Sequence, residues 1–226
     1  MSLNVLRVKA PAKVTGTVII LHGLGDSADG WKFLSDMLHQ YDQFKGVNFI
    51  FPNAPIKPLT VAGGQRVAQW FDIFEMGNPN ARQDEEGYWN SVANISKLID
   101  EEFKNGVNPS KIIVGGFSQG ASISLGIAAS CHQKLAGILC LSGFFNMKQG
   151  IQSRLKDVNK QTPIFHGHGD LDPVINISMA RAAHKLFTDN LGFTNYDLHE
   201  YSGMAHSTCN EEISEIADFI AKNLGL

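Results

Sequence analysis

The stretch Lys111-Ile112-Ile113-Val114-Gly115-Gly116-Phe117-Ser118-Gln119-Gly120-Ala121-Ser122 decides how the rest of the chain is read. An apolar, β-branched run ends in Gly115 and Gly116. Ser118 then stands between Gly116 and Gly120, and a proline-free segment rich in small and aliphatic residues continues to Cys131. That order reads as strand, sharp turn, helix. A serine projected from such a turn has a cramped backbone, and a Cβ two residues before or after it would strike the neighbouring strand or helix, so glycine is needed on both sides. The helix that begins behind Ser118 aims its free N–H groups and positive dipole end at the serine, which suits a developing oxyanion. With 22 glycines in 226 residues a bare Gly-x-Ser-x-Gly is weak evidence, and the flanking strand and helix are what make it specific.

Composition bounds the remainder. At 43% hydrophobic and 18% charged residues, a chain of 226 residues is an ordinary globular sequence, long enough for one large core and short for two, so one domain over 1–226 is expected. The net charge of −3 offers no basic patch for nucleic acid, and no apolar run approaches the roughly 20 residues needed to cross a bilayer. The first residues, Met1-Ser2-Leu3-Asn4-Val5-Leu6-Arg7, lack the features of a signal peptide. Cys131, Cys140 and Cys209 are odd in number and unpatterned, which favours free thiols in a reducing compartment.

Outward from the elbow, Val5 to Val8 suits an edge strand, and Thr17-Val18-Ile19-Ile20-Leu21 suits a strand buried on both faces of a parallel sheet. It leads into His22-Gly23-Leu24-Gly25-Asp26, where glycines let the backbone approach a ligand and the Leu24 N–H can turn toward the serine; the alternative is a plain turn capped by Asp26 or Ser27. Trp31 to Leu38 has helical spacing, and Val47 to Phe51 is the next strand, stopped by Pro52. From 53 to 87, prolines and glycines break any period while Trp70-Phe71-Asp72-Ile73-Phe74-Glu75-Met76 is dense in large apolar groups. We read this region as a loop-built partial cover lined for an acyl chain; the competing reading is that Trp70, Phe71 and Phe74 only pack it onto the core. Tyr88 to Lys104 is an amphipathic helix with Val92, Ile95, Ile99 and Phe103 on its inner stripe and Lys97, Asp100, Glu101, Glu102 and Lys104 on a solvated face.

Beyond the elbow, Leu135 to Leu141 is a buried strand ending in Ser142-Gly143-Phe144-Phe145, whose aromatics fall at the carboxyl end of the sheet, where open α/β sheets bind ligands. Thr162 to His166 is another strand, followed by Gly167-His168-Gly169-Asp170-Leu171-Asp172-Pro173-Val174. A base acting on Ser118 needs a buried carboxylate, and Asp170 and Asp172 compete for that place. Asp170 can be a turn or capping residue, whereas Asp172 is held in a stiff Asp-Pro step, so Asp172 is preferred. A helix from Asn176 to Asp189, a strand from Asn195 to Tyr201 and a closing helix from Glu211 to Asn223 complete the chain. Of the histidines after Asp172, His184 lies within a helix, His199 within a strand, and His206 on a loop after a strand, where bases are usually held.

Together, His22-Gly23-Leu24-Gly25-Asp26, Trp70-Phe71-Asp72, Gly115-Gly116-Phe117-Ser118-Gln119-Gly120, His166-Gly167 with Asp170 and Asp172-Pro173, and Gly203-Met204-Ala205-His206-Ser207 resemble the acyl-protein thioesterase and lysophospholipase-like carboxylesterase family. The resemblance implies an α/β-hydrolase fold: a mostly parallel central sheet with helices on both faces. It implies Ser118 as nucleophile, His206 as general base and acid, and Asp172 as orienting carboxylate, with the backbone N–H groups of Leu24 and Gln119 as oxyanion donors. It maps an acyl channel to Leu24, Ile73, Phe74, Phe144 and Val174. The implied activity is hydrolysis of acyl thioesters, removing palmitoyl-type chains from protein cysteines, with a general carboxylesterase or lysophospholipase on oxyesters as the alternative. No metal or organic cofactor is implied. The expected partners are S-acylated proteins or lipid-like acyl esters, a weak homodimer through the cover face is a family-based option, and the expected compartment is the cytoplasm, with the nucleus a second one. Some members carry a lipid-modified cysteine near the amino terminus, where this chain has none before Cys131. A non-catalytic binding protein on the same fold remains a third reading, against which a complete set of catalytic groups argues.

Overall fold

The computed structural model describes residues 3–75, 81–147 and 150–226. A seven-stranded sheet runs through them in the order β1-β3-β2-β6-β7-β8-β9. Its members are β1 (Val5–Val8), β2 (Gly16–Leu21), β3 (Val47–Pro52), β6 (Ile112–Phe117), β7 (Gly137–Leu141), β8 (Ile164–Gly169) and β9 (Tyr196–Tyr201), while β4 (Ile56–Leu59) and β5 (Gln65–Ala68) form a separate hairpin. Within this sheet only β1 is antiparallel to its neighbour, with Val5 opposite Pro52; β2, β3, β6, β7, β8 and β9 are parallel.

Alternation along β2 shows how the sheet is covered. Val18 and Ile20 face one core with Trp31, Leu34 and Leu38 of α1 (Ala28–Leu38) and Ile216, Ile220 and Leu224 of α6 (Asn210–Leu224). Ile19 and Leu21 face the other, with α2 (Glu85–Lys104), α3 (Gln119–Ser130) and α5 (Ile177–Lys185); the short α4 (Ile151–Arg154) lies on this side too. Every residue of α3 from Gln119 to Ala129 is buried, which is why this helix is apolar all round rather than amphipathic. Successive crossovers run outward in opposite directions from β2 and β6, so the sheet's switch point lies between them, and the loops leaving both strands converge there.

Several elements depart from the sequence reading. The expected cover contains ordered hairpin structure: Gly63 (φ 64°) and Gly64 (φ 88°) adopt the left-handed backbone that folds Gln65 back onto Leu59. The helix expected from Tyr88 starts at Glu85, because Asp84 accepts the Gly87 N–H and caps it. At its far end Phe103 is 52% exposed rather than inward, and Glu102, expected in solvent, is buried and ion-paired with Arg7 at 2.6 Å. β8 continues past His166 through Gly169, and α5 passes into a π-helical turn over Leu186–Asn190. The portion of the expected cover at 76–80 lies outside the described residues.

Candidate active site

Ser118 is the turn between β6 and α3, and its backbone sits at φ 54°, ψ −114°, a conformation that side-chain-bearing residues rarely adopt. Close packing of backbone on backbone holds it there. A Cβ on Gly120 would run into the Leu21 carbonyl oxygen, and one on Gly116 into the Gly120 carbonyl group. The Ser118 N–H is anchored on the Leu141 carbonyl oxygen at 2.9 Å, which ties the turn to β7. The strain is therefore over-determined by rigid neighbours, and the Oγ projects into the space above the sheet.

His206 reaches that space from the loop after β9. Ser118 Oγ–H donates to His206 Nε2 at 3.0 Å, and His206 Nδ1–H donates to Asp172 Oδ2 at 2.6 Å. The imidazole also packs on the Phe117 ring, with centroids 4.8 Å apart. Asp172 is buried just beyond β8. Its Oδ1 accepts the N–H groups of Val174 and Ile175, both at 2.8 Å, so the turn after Pro173 fixes the carboxylate and leaves Oδ2 for His206. Behind it, His168 Nε2–H donates to the Ile175 carbonyl at 2.7 Å and lies 3.4 Å from Asp172 Oδ2; burial holds this imidazole below its ordinary pKa and therefore neutral. Asp170 plays a different part. It is exposed and accepts the Gly203 N–H at 2.7 Å, which buttresses the loop carrying His206.

Across the serine lies the loop after β2. Gly23 packs on the elbow: a Cβ there would stand 3.3 Å from the Phe117 ring and in ordinary contact, 3.5 Å, with the Ser118 Cβ. Leu24 and Gln119 both line the cavity that contains Ser118. The loop and the cover are fastened by a buried network that sequence reasoning missed. Gln119 Oε1 accepts the Trp70 N–H and its Nε2 donates to the Phe71 carbonyl, each at 2.8 Å, while Trp70 Nε1–H donates to the His22 carbonyl at 2.8 Å. Ser91 Oγ–H closes the set on the Trp70 carbonyl. These partners stand 21 to 49 positions apart, and no local pattern signals them.

The cavity has a volume of about 640 Å³, within the roughly 300–1,000 Å³ of small-molecule sites. Leu24, Ile73, Phe74, Phe144 and Val174, the positions expected to form an acyl channel, all line it. So do Phe71, already part of the apolar cover read from the sequence, and Ile175 and Met179, which the sequence did not single out. Trp70 is buried beneath this surface and serves packing, as the competing reading held for it. Asn146, Asn176 and Arg82 add polar groups to the lining, and the Arg82 guanidinium lies 5.0 Å over the Phe74 ring. Among the described residues no helix is long and apolar enough to cross a membrane.

The arrangement suits acyl transfer: a strained hydroxyl bonded to an imidazole that a buried carboxylate orients, beside a helix N-terminus and an apolar chamber. Comparison with known proteins agrees. Residues 4–224 match the phospholipase/carboxylesterase family profile. The chain is 42% identical to acyl-protein thioesterase 1 of Saccharomyces cerevisiae, covering 98% of this chain and 99% of that one, and 42% identical to acyl-protein thioesterase 1 of Kluyveromyces lactis over the whole of both. In three dimensions it resembles Arabidopsis thaliana SOBER1 (TM-score 0.86, 28% identity, 92% and 99% of the two chains) and Zea mays acyl-protein thioesterase 2 (TM-score 0.81, 25% identity, 98% and 99%). With the profile spanning nearly its full length and a mostly parallel sheet carrying a serine elbow, the chain belongs to the phospholipase/carboxylesterase family of α/β-hydrolases.

Proposed function

We propose that this protein is a serine hydrolase that cleaves acyl thioesters, removing long acyl chains from protein cysteines, with Ser118, His206 and Asp172 as nucleophile, base and orienting carboxylate. The observation that carries the reading is the unbroken chain of hydrogen bonds Ser118–His206–Asp172 opening onto an apolar cavity. Ser118 Oγ attacks the acyl carbonyl while His206 Nε2 takes its proton. The tetrahedral oxyanion accepts hydrogen bonds from the N–H groups of Leu24 and Gln119. As it collapses, the cysteine thiolate leaves and receives the proton from His206. Water, deprotonated by the same imidazole, then releases the fatty acid from Ser118.

The acyl chain lies along Ile73, Phe74, Phe144 and Val174. The thiol partner leaves toward solvent beside His206. A second reading, hydrolysis of oxyesters such as lysophospholipids, draws on Arg82 and Asn176 in the cavity lining, polar groups suited to a charged headgroup. Both readings use one triad, so the test is selectivity: kcat/KM on a palmitoylated-cysteine peptide, a lysophospholipid and a short-chain aryl ester, with Ser118→Ala as blank. Preference for the peptide is expected. Turnover of the oxyesters alone would replace the thioesterase reading with the second one, and activity surviving in Ser118→Ala would remove the triad assignment.

A further inference from the structure

His22 is 1% exposed, lies outside the cavity and belongs to no part of the hydrogen-bonded chain at Ser118, yet both of its ring nitrogens are engaged. The Ala54 N–H points at Nε2 from 3.0 Å. A backbone N–H can only donate, so Nε2 must present its lone pair and the proton of the neutral ring must sit on Nδ1. That Nδ1–H donates to the Gly23 carbonyl at 2.7 Å. Burial lowers the pKa of His22, which keeps this neutral tautomer in place.

The Gly23 carbonyl shares its peptide plane with the Leu24 N–H. In a trans peptide the two point in opposite directions, so drawing the oxygen toward the buried His22 ring turns the N–H the other way, toward the chamber that Leu24 and Ser118 both line. The Asp26 N–H holds the same oxygen at 3.3 Å, and the next peptide is pinned as well, because the Gly25 N–H donates to the Ala68 carbonyl at 2.8 Å. Of these restraints only the His22 bond comes from a side chain.

We propose that His22 is a positioning residue for catalysis, setting the direction of the Leu24 N–H through the Gly23–Leu24 peptide and so completing the oxyanion site. The inference rests on the reading of Leu24 as an oxyanion donor. Ala54 N–H acts upstream of it, selecting the tautomer of a ring that never meets substrate.

Two polar variants separate the bonds. In His22→Asn the side-chain amide reaches the Nδ1 position and can donate to Gly23 but not accept from Ala54. In His22→Gln it reaches the Nε2 position and can accept from Ala54 but not hold Gly23. Both should lose some thermal stability. A merely structural histidine would give both variants wild-type kcat at temperatures where they are folded.

If His22 positions the Leu24 N–H, His22→Gln loses roughly 30- to 100-fold in kcat with KM within about twofold, and its affinity for an acyl trifluoromethyl ketone, which mimics the tetrahedral oxyanion, falls by a similar factor. His22→Asn stays within about fivefold in both. Equal kcat in the two variants, or a kcat loss in His22→Gln without loss of ketone affinity, overturns the assignment. If Ser118→Ala keeps full turnover, the whole site reading falls and His22 with it. If Ser118→Ala is inactive while His22→Gln is unimpaired, only the His22 assignment fails.

Discussion

Around Ser118 the chain is held by backbone packed against backbone, whereas the cover at 53–75 and 81–84 is fastened over it largely by side chains, alongside the main-chain bond from the Gly25 N–H to the Ala68 carbonyl. At the elbow, Gly116, Gly120 and the Leu21 carbonyl leave no room for a single methyl group. In the cover, Gln119 and Ser91 grip the main chain of Trp70 and Phe71, Asp84 Oδ2 accepts the Asp72 N–H at 2.9 Å, and Asp72 in turn accepts the Thr60 N–H. Contacts of the first kind are nearly incompressible and fix a reacting atom. Those of the second kind are individually worth about 1 kcal/mol. On the proposed function, the difference separates where the chemistry is set from where the substrate is chosen.

The largest effect should come from breaking the first kind of contact. Gly120→Ala forces a methyl group into the Leu21 carbonyl, and esterase activity is expected to vanish on every substrate, short or long. Retained activity on the short ester would mean that the elbow is softer than its packing implies. Next, Asp172→Asn should cost on the order of 10⁴ in kcat, since an amide cannot stabilise the imidazolium, whereas Asp170→Asn should stay within about threefold because its amide oxygen can still accept the Gly203 N–H. Equal losses in these two would erase the distinction between the aspartates.

The cover is probed by Gln119→Ala, which strands the Trp70 N–H and the Phe71 carbonyl in a buried setting. About a tenfold loss of kcat/KM is expected on the palmitoyl peptide and less than threefold on the short ester. A uniform loss would place the cover with the catalytic machinery rather than with substrate choice.

The smallest effect lies on the opposite face of the sheet. Glu212, at the first turn of α6, is fully buried beside Gly167, and burial with Glu215 nearby raises its pKa from 4.5 to about 8. A carboxyl with a raised folded-state pKa stabilises the fold below its unfolded pKa and gives that contribution up as pH rises toward 8, so stability should fall between about pH 5 and pH 9. Glu212→Gln cannot ionise. It should match wild type near pH 5, exceed it by several degrees in Tm at pH 9, and leave kcat unchanged. A Tm difference independent of pH would show that the Glu212 pKa is not raised in the folded protein.

The strands of the main sheet and their places along the chain were legible in the sequence because their signals are local: β-branched runs such as Thr17–Leu21, and glycines flanking a serine. The order serine, aspartate, histidine along the chain was legible as well. Boundaries failed where a distant partner decides. Glu102 reads as solvated until Arg7, 95 positions away, meets it, and Phe103 reads as inward until the final helical turn leaves it exposed.

The sequence by itself determined a mostly parallel α/β sheet with a serine on a strained strand-to-helix turn, since sterics and two- or 3.6-residue periodicity act between near neighbours. Only the tertiary structure decided between Asp170 and Asp172 as the acceptor of the His206 Nδ1–H, brought Met179 and Ile175 into the chamber, and engaged both nitrogens of His22. Those choices depend on where the ends of separate strands come to lie beside one another, and the directional reach of a hydrogen bond, about 3 Å, is met or missed only once the whole sheet has formed.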